Sequence, residues 1–148
     1  MKPFVDIRYN IFTEKEIVSL LYYFYQNEKT HKKYNDTIVC PLNNDNKEFL
    51  NNKFKLFVGT NTIDWVQIVK WPPGAYQPFH FDDASKNTTI SSITYLNHDF
   101  VGGETVFEEG TIVKASKNKT IFFSGKNIRH SVNKVLEGTR YTIATWYK

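Results

Sequence analysis

The first part of the chain carries apolar residues at the spacing of an amphipathic helix. They are Ile17, Leu20, Leu21 and Phe24, with Val18 and Tyr25 widening the stripe. Thr13 stands just before this stripe and Glu16 follows three residues later, which is the arrangement of a capping box. We therefore predict a helix over about residues 14–27 that packs against a sheet.

From residue 54 onward the pattern changes to short runs of β-branched and aromatic residues separated by turn residues. The predicted strands are 54–58, 64–71, 76–81, 88–96, 104–107, 111–115, 120–123, 128–134 and 139–147. Trp71-Pro72-Pro73-Gly74 is a strong turn signal, because proline fixes φ and glycine admits a positive φ. Strands that recur every ~8–12 residues are typical of an all-β sandwich or barrel, here with the N-terminal helix as a buttress.

The segment between the helix and the first predicted strand is polar and gives weaker signals. We predict a loop over residues 43–46, and a short helix or part of a mobile flap over residues 46–52. With 148 residues the chain is most simply one domain, residues 1–148. Its helical and loop lead-in then covers about 1–53 and its barrel about 54–148.

Composition narrows the class of protein. Hydrophobic residues make up 41% of the chain and aromatic residues 16%, which favours a folded, β-rich protein over a disordered one. The net charge is +4, but the lysines are scattered, so a nucleic-acid partner is not indicated. Cys40 is the one cysteine, which excludes an internal disulfide and a cysteine-based zinc or iron–sulfur site.

The same features bear on location. A lone thiol is typical of the reducing cytoplasm, where we expect the protein to lie. No apolar run approaches the ~20 residues that a membrane-spanning helix needs, so no membrane partner is expected. The first eight residues lack the pattern of a secretory signal.

His80 and Asp82 are the first residues that indicate chemistry. If their segment is extended, the two side chains lie on one face of a strand, and Phe79 and Phe81 point the other way into a core. An imidazole beside a carboxylate supplies two of the three ligands of a 2-His-1-carboxylate triad, which holds non-haem Fe(II). Taken alone, His-x-Asp occurs often by chance.

His130 and Arg140 add to this pattern. His130 opens a strand-like segment after a glycine turn, where a ligand can reach the mouth of a barrel. On the last predicted strand Arg140 shares a face with three other side chains, which are Thr142, Ala144 and Trp146. A buried arginine is costly unless it meets an anion, which is either a bound carboxylate or a buried Asp or Glu of the chain itself.

These residues and several blocks around them resemble the Fe(II)/2-oxoglutarate-dependent oxygenases, and most closely the prolyl 4-hydroxylase group. The blocks are Gly74-x-Tyr76-x-Pro78-x-His80-x-Asp82, Tyr95-Leu96-Asn97, Gly102-Gly103-Glu104-Thr105-x-Phe107, His130-Ser131-Val132 and Arg140-Tyr141-x-Ile143-x-x-Trp146-Tyr147. They stand in the family's order and span roughly residues 64–148.

The resemblance implies a mainly β, double-stranded β-helix (jelly-roll) barrel with a metal at its open end. It implies that His80, Asp82 and His130 bind Fe(II), and that 2-oxoglutarate chelates the iron while Arg140 pairs with its distal carboxylate. O2 is the third reactant, and ascorbate can serve as reductant. The implied reaction hydroxylates a C–H bond, most simply of a prolyl residue in a peptide or protein, with release of succinate and CO2.

The resemblance also suggests residues around the cosubstrate and the substrate. Tyr95 stands where some relatives have a tyrosine that helps to hold the distal carboxylate, and Ile93 shares its face of the strand. Trp71 occupies the place of a cosubstrate-binding tyrosine nine residues before the first metal histidine, so its indole N–H either donates a hydrogen bond or merely packs. Trp146 matches a family tryptophan near the substrate mouth.

Two further residues are candidates for the lining of the active site. Tyr76 is offset by one residue from the comparable family tyrosine, which leaves its role open. Asp83 points away from the metal if the strand continues, although a turn would bring it to the substrate. Little chain is left for a separate substrate domain, so we expect loops at the mouth to give specificity. The candidate loops are residues 35–53, 59–62 and 84–88.

Other functions remain open on the sequence alone. A nucleobase-demethylating or small-molecule oxygenase would use the same metal residues, but the demethylases place a second arginine six residues after the first, where this chain has Trp146. A non-catalytic barrel that acts as a binding module would have no need of the complete set of His80, Asp82, His130 and Arg140. The oligomeric state and the target protein are not indicated.

Overall fold

A computed structural model describes residues 3–82 and 88–148 of the chain. Two α-helices occur in the first part, α1 over Glu14–Gln26 and α2 over Asn44–Val58, with a short 3-10 helix over Glu28–Thr30 between them. In the described part of the chain, no helix combines the length and hydropathy needed to span a bilayer.

Helix α1 begins as its sequence predicts. The backbone N–H of Glu16 donates to Oγ1 of Thr13 at 3.1 Å, and the backbone N–H of Thr13 donates to Oε1 of Glu16 at 2.8 Å. Both halves of the capping box are therefore formed, which satisfies two N–H groups that the first helical turn leaves without an intrahelical partner. Ile17, Leu20 and Phe24 are buried on the inner face.

Helix α2 corrects one of the predicted elements. Residues 54–58, which we expected to form a strand, are the last turn and a half of this helix. Leu50, Phe54 and Val58 lie four residues apart and form one buried stripe, so the helical period is the correct one. Asn43 caps the helix through a bond from the N–H of Asn46 to Oδ1, and Gly59 ends it at a φ of +63°.

The remaining elements are strands. They are β1 Val5–Tyr9, β2 Lys32–Tyr34, β3 Thr37–Pro41, β4 Ile63–Trp71, β5 Gln77–His80, β6 Ile90–Tyr95, β7 Val101–Gly102, β8 Thr105–Phe107, β9 Ile112–Val113, β10 Lys119–Phe123, β11 His130–Val132, β12 Val135–Glu137 and β13 Arg140–Tyr147. A seven-stranded antiparallel sheet has the order β1-β10-β6-β13-β4-β3-β2, a four-stranded sheet has the order β5-β11-β8-β9, and β12 pairs with β7.

The two main sheets pack face to face and the helices cover the outer face of the larger one. Side chains from both sheets meet in two apolar clusters between them, one around Phe107 and Phe123 and one around Val69 and Val132. The largest cluster joins α1 and α2 to the back of the large sheet. This arrangement confirms the predicted mainly β jelly roll with a buttressing N-terminal helix, and α2 adds a second helix to the buttress.

Strand β13 decides which residues face the space between the sheets. Tyr141, Ile143 and Tyr147 belong to the helix-side cluster. The alternate positions, which are Arg140, Thr142, Ala144 and Trp146, line the cavity on the other side. The sequence pattern predicted this shared face, which follows from the period of two along a strand.

Candidate active site

A cavity of about 540 Å³ opens between the two sheets. Its floor is the inner face of β4, β13 and β6, where cross-strand partners such as Trp65 and Trp146 lie side by side. Strands β5 and β11 of the small sheet form the opposite wall. The volume is in the range of small-molecule sites and leaves room for more than a small dicarboxylate.

His80, Asp82 and His130 meet at one end of this cavity. His80 and His130 are direct partners in the antiparallel pairing of β5 with β11, and their ring centres are 4.3 Å apart. Oδ1 of Asp82 lies 3.5 Å from Nε2 of His80 and 3.2 Å from Nε2 of His130. Ligand atoms of all three residues fall within 4.8 Å of one another. The fold thus brings together the three residues that the sequence suggested as metal ligands.

The backbone fixes which nitrogen of each histidine faces Asp82. Nδ1 of His80 lies 2.8 Å from the carbonyl oxygen of Pro78, and Nδ1 of His130 lies 3.2 Å from that of Ile128. A carbonyl oxygen only accepts, so each Nδ1 carries the proton and donates it. Nε2 of each ring therefore faces Asp82: as an N–H it can donate to the carboxylate, and without that proton its lone pair is the one with which imidazole binds a metal.

Asp82 is held in its charged form. Burial alone raises the pKa of this carboxyl, but the hydrogen bonds from His130 and His80 outweigh burial and hold the pKa below its ordinary value. Its backbone N–H donates to the carbonyl oxygen of Gly125 at 2.8 Å. A Cβ at position 125 would lie 2.7 Å from Oδ2 of Asp82 and in collision with Oγ of Ser91, so only glycine fits beside the carboxylate.

Phe79 and Phe81 do not enter a core, which corrects the prediction made for them. Phe79 is 50% exposed and Phe81 is 45% exposed. Strand β5 lies at the edge of the small sheet, and the helices pack on the large one, so no described element covers the outward side of β5. Phe81 instead lines the cavity beside the histidines, because β5 ends at His80.

Arg140 forms the other end of the site. The side chain is fully buried, its Nε donates to the carbonyl oxygen of Gly103 at 3.0 Å, and its Nη2 donates to Oγ1 of Thr105 at 3.1 Å. Within residues 3–82 and 88–148 no carboxylate forms an ion pair with it, so the alternative of a buried Asp or Glu partner is wrong for the described part of the chain. Burial lowers the pKa of Arg140, and a bound anion would offset that cost.

Trp71 and Tyr95 flank this guanidinium. The guanidinium carbon lies 4.8 Å from the ring centre of Trp71 and 5.3 Å from that of Tyr95. The hydroxyl of Tyr95 is 2.5 Å from Oγ1 of Thr105, which also accepts from Arg140. The indole N–H of Trp71 is buried and has no acceptor among the described residues.

The substrate-side candidates are placed differently. Ile93 and Trp146 line the floor of the cavity, and Tyr76, which is 53% exposed, stands at its rim. Asp83 and residues 84–87 lie outside the described residues. Of the predicted specificity loops, residues 44–53 belong to α2 on the back of the large sheet, and none of the lining side chains comes from residues 59–62.

The donor sets at the two ends of the cavity fit different groups. Two histidine Nε2 atoms and a carboxylate suit a divalent transition metal such as Fe(II). A buried guanidinium without a carboxylate partner, beside a buried indole N–H without an acceptor, suits a carboxylate such as the distal one of 2-oxoglutarate. The residues present therefore fit both the metal and the cosubstrate.

The sequence did not single out several residues that belong to this site. Thr105 joins Arg140 to Tyr95, and its residue type gave no hint beyond its place in the Gly-Gly-Glu-Thr block. Gly125 makes room for Asp82, and its clue was a glycine before the second histidine strand. Three further residues stand at the cavity rim on strand β2, which was not predicted because its segment is polar throughout: Lys32, Lys33 and Tyr34.

Comparisons with known proteins agree with this geometry. The profile of the 2OG-Fe(II) oxygenase superfamily matches residues 66–148, a stretch that contains every residue of the two donor sets. No curated protein sequence matches the chain.

Solved structures share the fold at low sequence identity. One is a prolyl-4-hydroxylase from Pseudomonas putida, with 14% identity and a TM-score of 0.77, covering 97% of this chain and 91% of that one. A viral collagen prolyl hydroxylase from Paramecium bursaria Chlorella virus-1, solved with 2OG, has 19% identity, a TM-score of 0.70, and coverage of 97% and 94%.

A third similar structure holds a peptide. It is a prolyl hydroxylase from Trichoplax adhaerens in complex with a hypoxia-inducible factor oxygen degradation domain peptide fragment, with 16% identity and a TM-score of 0.75. The match covers 97% of this chain and 82% of that one. These structures show a shared fold, and the profile match covers more than half of the sequence. The chain therefore belongs to the 2OG-Fe(II) oxygenase superfamily.

Proposed function

We propose that the chain is an Fe(II)- and 2-oxoglutarate-dependent dioxygenase that hydroxylates a prolyl residue of a peptide or protein. The observation that carries this proposal is the pair of complementary donor sets at the two ends of one cavity. In this proposal His80, Asp82 and His130 hold the metal, supported by their close approach, and Arg140 with Trp71 holds an anion, supported by the buried donors that they offer. Iron and 2-oxoglutarate, when bound, supply the oxidation, in which one oxygen atom of O2 enters the C–H bond and the other enters succinate as CO2 is lost.

The chain's own residues orient and shield the reactants. The guanidinium of Arg140 is fixed by Gly103 and Thr105 before any anion arrives, so little ordering remains to be done on binding. Trp71 has an N–H ready to donate, and Tyr95 shares the hydroxyl network of Thr105. Ile93 and Ala144, neighbours across β6 and β13, add apolar side chains to a cavity floor that also carries Gln67 and Thr142, and so limit the water beside the reacting groups.

The peptide substrate is proposed from the fold relatives. Three solved structures with this fold carry the name prolyl hydroxylase, and one of them is bound to a peptide fragment. The cavity floor continues from the histidines to Trp146 and Trp65, which gives a half-open aromatic surface beside the metal residues. Such a surface suits an extended peptide better than a fully enclosed small molecule.

The test is mass spectrometry of proline-containing peptides after incubation with Fe(II), 2-oxoglutarate, O2 and ascorbate as reductant. The expected result is the gain of one oxygen on proline, in step with succinate release. Oxygen gain on methylated oligonucleotides or on a small molecule, and none on peptides, would replace the proposed substrate. Absence of succinate release in the presence of all reactants would favour a binding module.

A further inference from the structure

Strand β2 brings a basic edge to the mouth of the cavity. Lys32 pairs with Val39, and Tyr34 pairs with Thr37, in the antiparallel hairpin of β2 and β3. Val39 and Thr37 line the cavity, and residues directly opposite in such a pair share a face. Lys32 and Tyr34 therefore stand on the cavity side of the rim. Lys33 lies between them at the same edge, and because its partner Ile38 packs on the helix-side cluster, its side chain leaves the strand on the other face.

The two lysines have no counter-charge within the described residues. Lys32 and Lys33 are exposed, and none of the ion pairs of residues 3–82 and 88–148 involves either of them. Among the described lining residues the sole carboxylate is Asp82, which lies between the two histidines. No described carboxylate therefore pairs with Lys32 or Lys33, and the nearest one in the sequence, Asp36, stands in the turn of the same hairpin.

The same rim offers aromatic faces and strand edges. Tyr34 is 62% exposed and Trp65 is 51% exposed, and both border the cavity. In the described part of the chain β2 and β5 each have a neighbour on one side only, so each has an unpaired edge, and residues of both strands line the cavity. An extended polypeptide can pair with such an edge through its backbone and lay its side chains on the aromatic faces.

We propose that the β2–β3 hairpin is a substrate-recognition wall that selects peptides with acidic residues beside the target residue. The inference rests on the proposed function in that it takes the cavity to receive a polypeptide, and it adds the charge that the polypeptide carries. Lysines with aromatic rings also suit single-stranded nucleic acid. The unpaired strand edges favour a polypeptide, however, because a polypeptide backbone can pair with them. The described rim also carries two neighbouring lysines and not the long basic groove that a nucleic-acid strand would follow.

The experiment measures binding and needs no turnover. Three peptides of equal length carry one central proline flanked by glutamate, glutamine or lysine, and they are titrated without O2 in the presence of Fe(II) and 2-oxoglutarate. We expect the glutamate peptide to bind roughly 5- to 10-fold more tightly than the glutamine peptide at low salt, with the preference shrinking as salt rises. The double variant Lys32→Glu/Lys33→Glu should reverse the order in favour of the lysine peptide.

A matched control makes the same charge change elsewhere. Lys15→Glu/Lys55→Glu alters two exposed lysines of α1 and α2, on the helical side of the large sheet, and should keep the preference for glutamate. The thermal midpoint of each variant reports its folding. Lys32→Gln/Lys33→Gln, which only removes the charges, should bind glutamate and glutamine peptides equally and provides a second test.

The outcomes separate this inference from the proposed function. Preferential binding of the glutamate peptide without oxygen gain on proline would uphold the acidic selectivity and reject prolyl hydroxylation. Equal binding of the glutamate and glutamine peptides, or no binding of any peptide, would overturn the inference even if proline is hydroxylated. Tighter binding of a single-stranded oligonucleotide that the glutamate double variant abolishes would also overturn it.

Discussion

Arg140 stacks on Trp71, with its guanidinium carbon 4.8 Å from the centre of the indole ring, and the two residues are direct partners on β13 and β4. If this pair holds the distal carboxylate of 2-oxoglutarate, Arg140→Gln should raise KM for 2-oxoglutarate about 10- to 100-fold. A factor of this size corresponds to the free energy that charge-assisted hydrogen bonds usually contribute to binding. Steady-state kinetics with varied cosubstrate measures this. Cosubstrate should also raise the thermal midpoint of the wild type and not of the variant.

The indole N–H of Trp71 can be tested apart from its ring. Trp71→Phe keeps a flat aromatic surface under Arg140 and removes the buried donor. We expect KM for 2-oxoglutarate to rise about 2- to 10-fold, as for one neutral hydrogen-bond donor, with kcat nearly unchanged. A KM equal to that of the wild type would mean that Trp71 only packs against the guanidinium.

We expect the proposed metal site to depend on His130 and not on the exposed His98. His130→Ala removes one of three donor atoms, and we expect the affinity for Fe(II) or its stand-in Mn(II) to fall by more than the ~10- to 100-fold typical of losing a partner outside the ligand shell. Calorimetric titration with Mn(II) measures it. His98→Ala is the control, since His98 is exposed and lies outside the metal group of the described residues. Unchanged Mn(II) affinity in His130→Ala would refute the ligand assignment.

Gly125 is predicted to be essential for the position of Asp82. Gly125→Ala puts a methyl group 2.7 Å from Oδ2 of Asp82, so we expect the carboxylate to be displaced from its present position between the histidines. We expect at least a tenfold loss of Mn(II) affinity, roughly the effect of disturbing a ligand's supporting contacts. Gly110→Ala is the matched control, because a Cβ there meets nothing within 4 Å and only the positive φ of +113° is strained. Equal metal affinity in the two variants would show that Asp82 adapts.

The stability of the helical layer should centre on Phe54. This side chain is fully buried and makes edge-to-face contacts with Phe12 and Phe122, whose ring centres are both 5.5 Å away. Phe54→Ala should lower the free energy of unfolding by about 3–5 kcal/mol. Denaturant unfolding measures it against Leu56→Ala, which is 88% exposed in the same helix and should change stability by less than ~0.5 kcal/mol. Similar losses in both variants would contradict this packing.

Local patterns predicted the elements whose signals are local. The capping box at Thr13 and the alternating face of β13 depend on residues close in sequence, and both are formed as expected. Residues 54–58 were wrongly predicted as a strand because a short apolar run is compatible with the period of a strand and with that of a helix. The helical spacing becomes visible only when Leu50, in the preceding polar stretch, is counted with Phe54 and Val58. Alternation placed Phe79 opposite the ligands correctly, but it carries no information on whether a second layer covers that side.

The residues of the candidate site also fall into those that the sequence could single out and those that it could not. Residues with rare chemistry, the histidines and Arg140, stood out by type and spacing. Thr105 and Gly125 act through contacts with residues far away in the chain, and their types are common in turns and strands. Lys32 resembles the other scattered lysines, and only the pairing of β2 with β3 brings it to the cavity.

The pairing of His80 with His130 has a consequence for the folding of the chain. A bound ion would join two positions roughly fifty residues apart, and so would close a long loop at an edge strand that pairs with one neighbour in the described part of the chain. The ion's binding energy would then count towards the attachment of β5 to the small sheet. Without it, β5 should fray before the large sheet does, and with β5 one wall of the cavity would be lost.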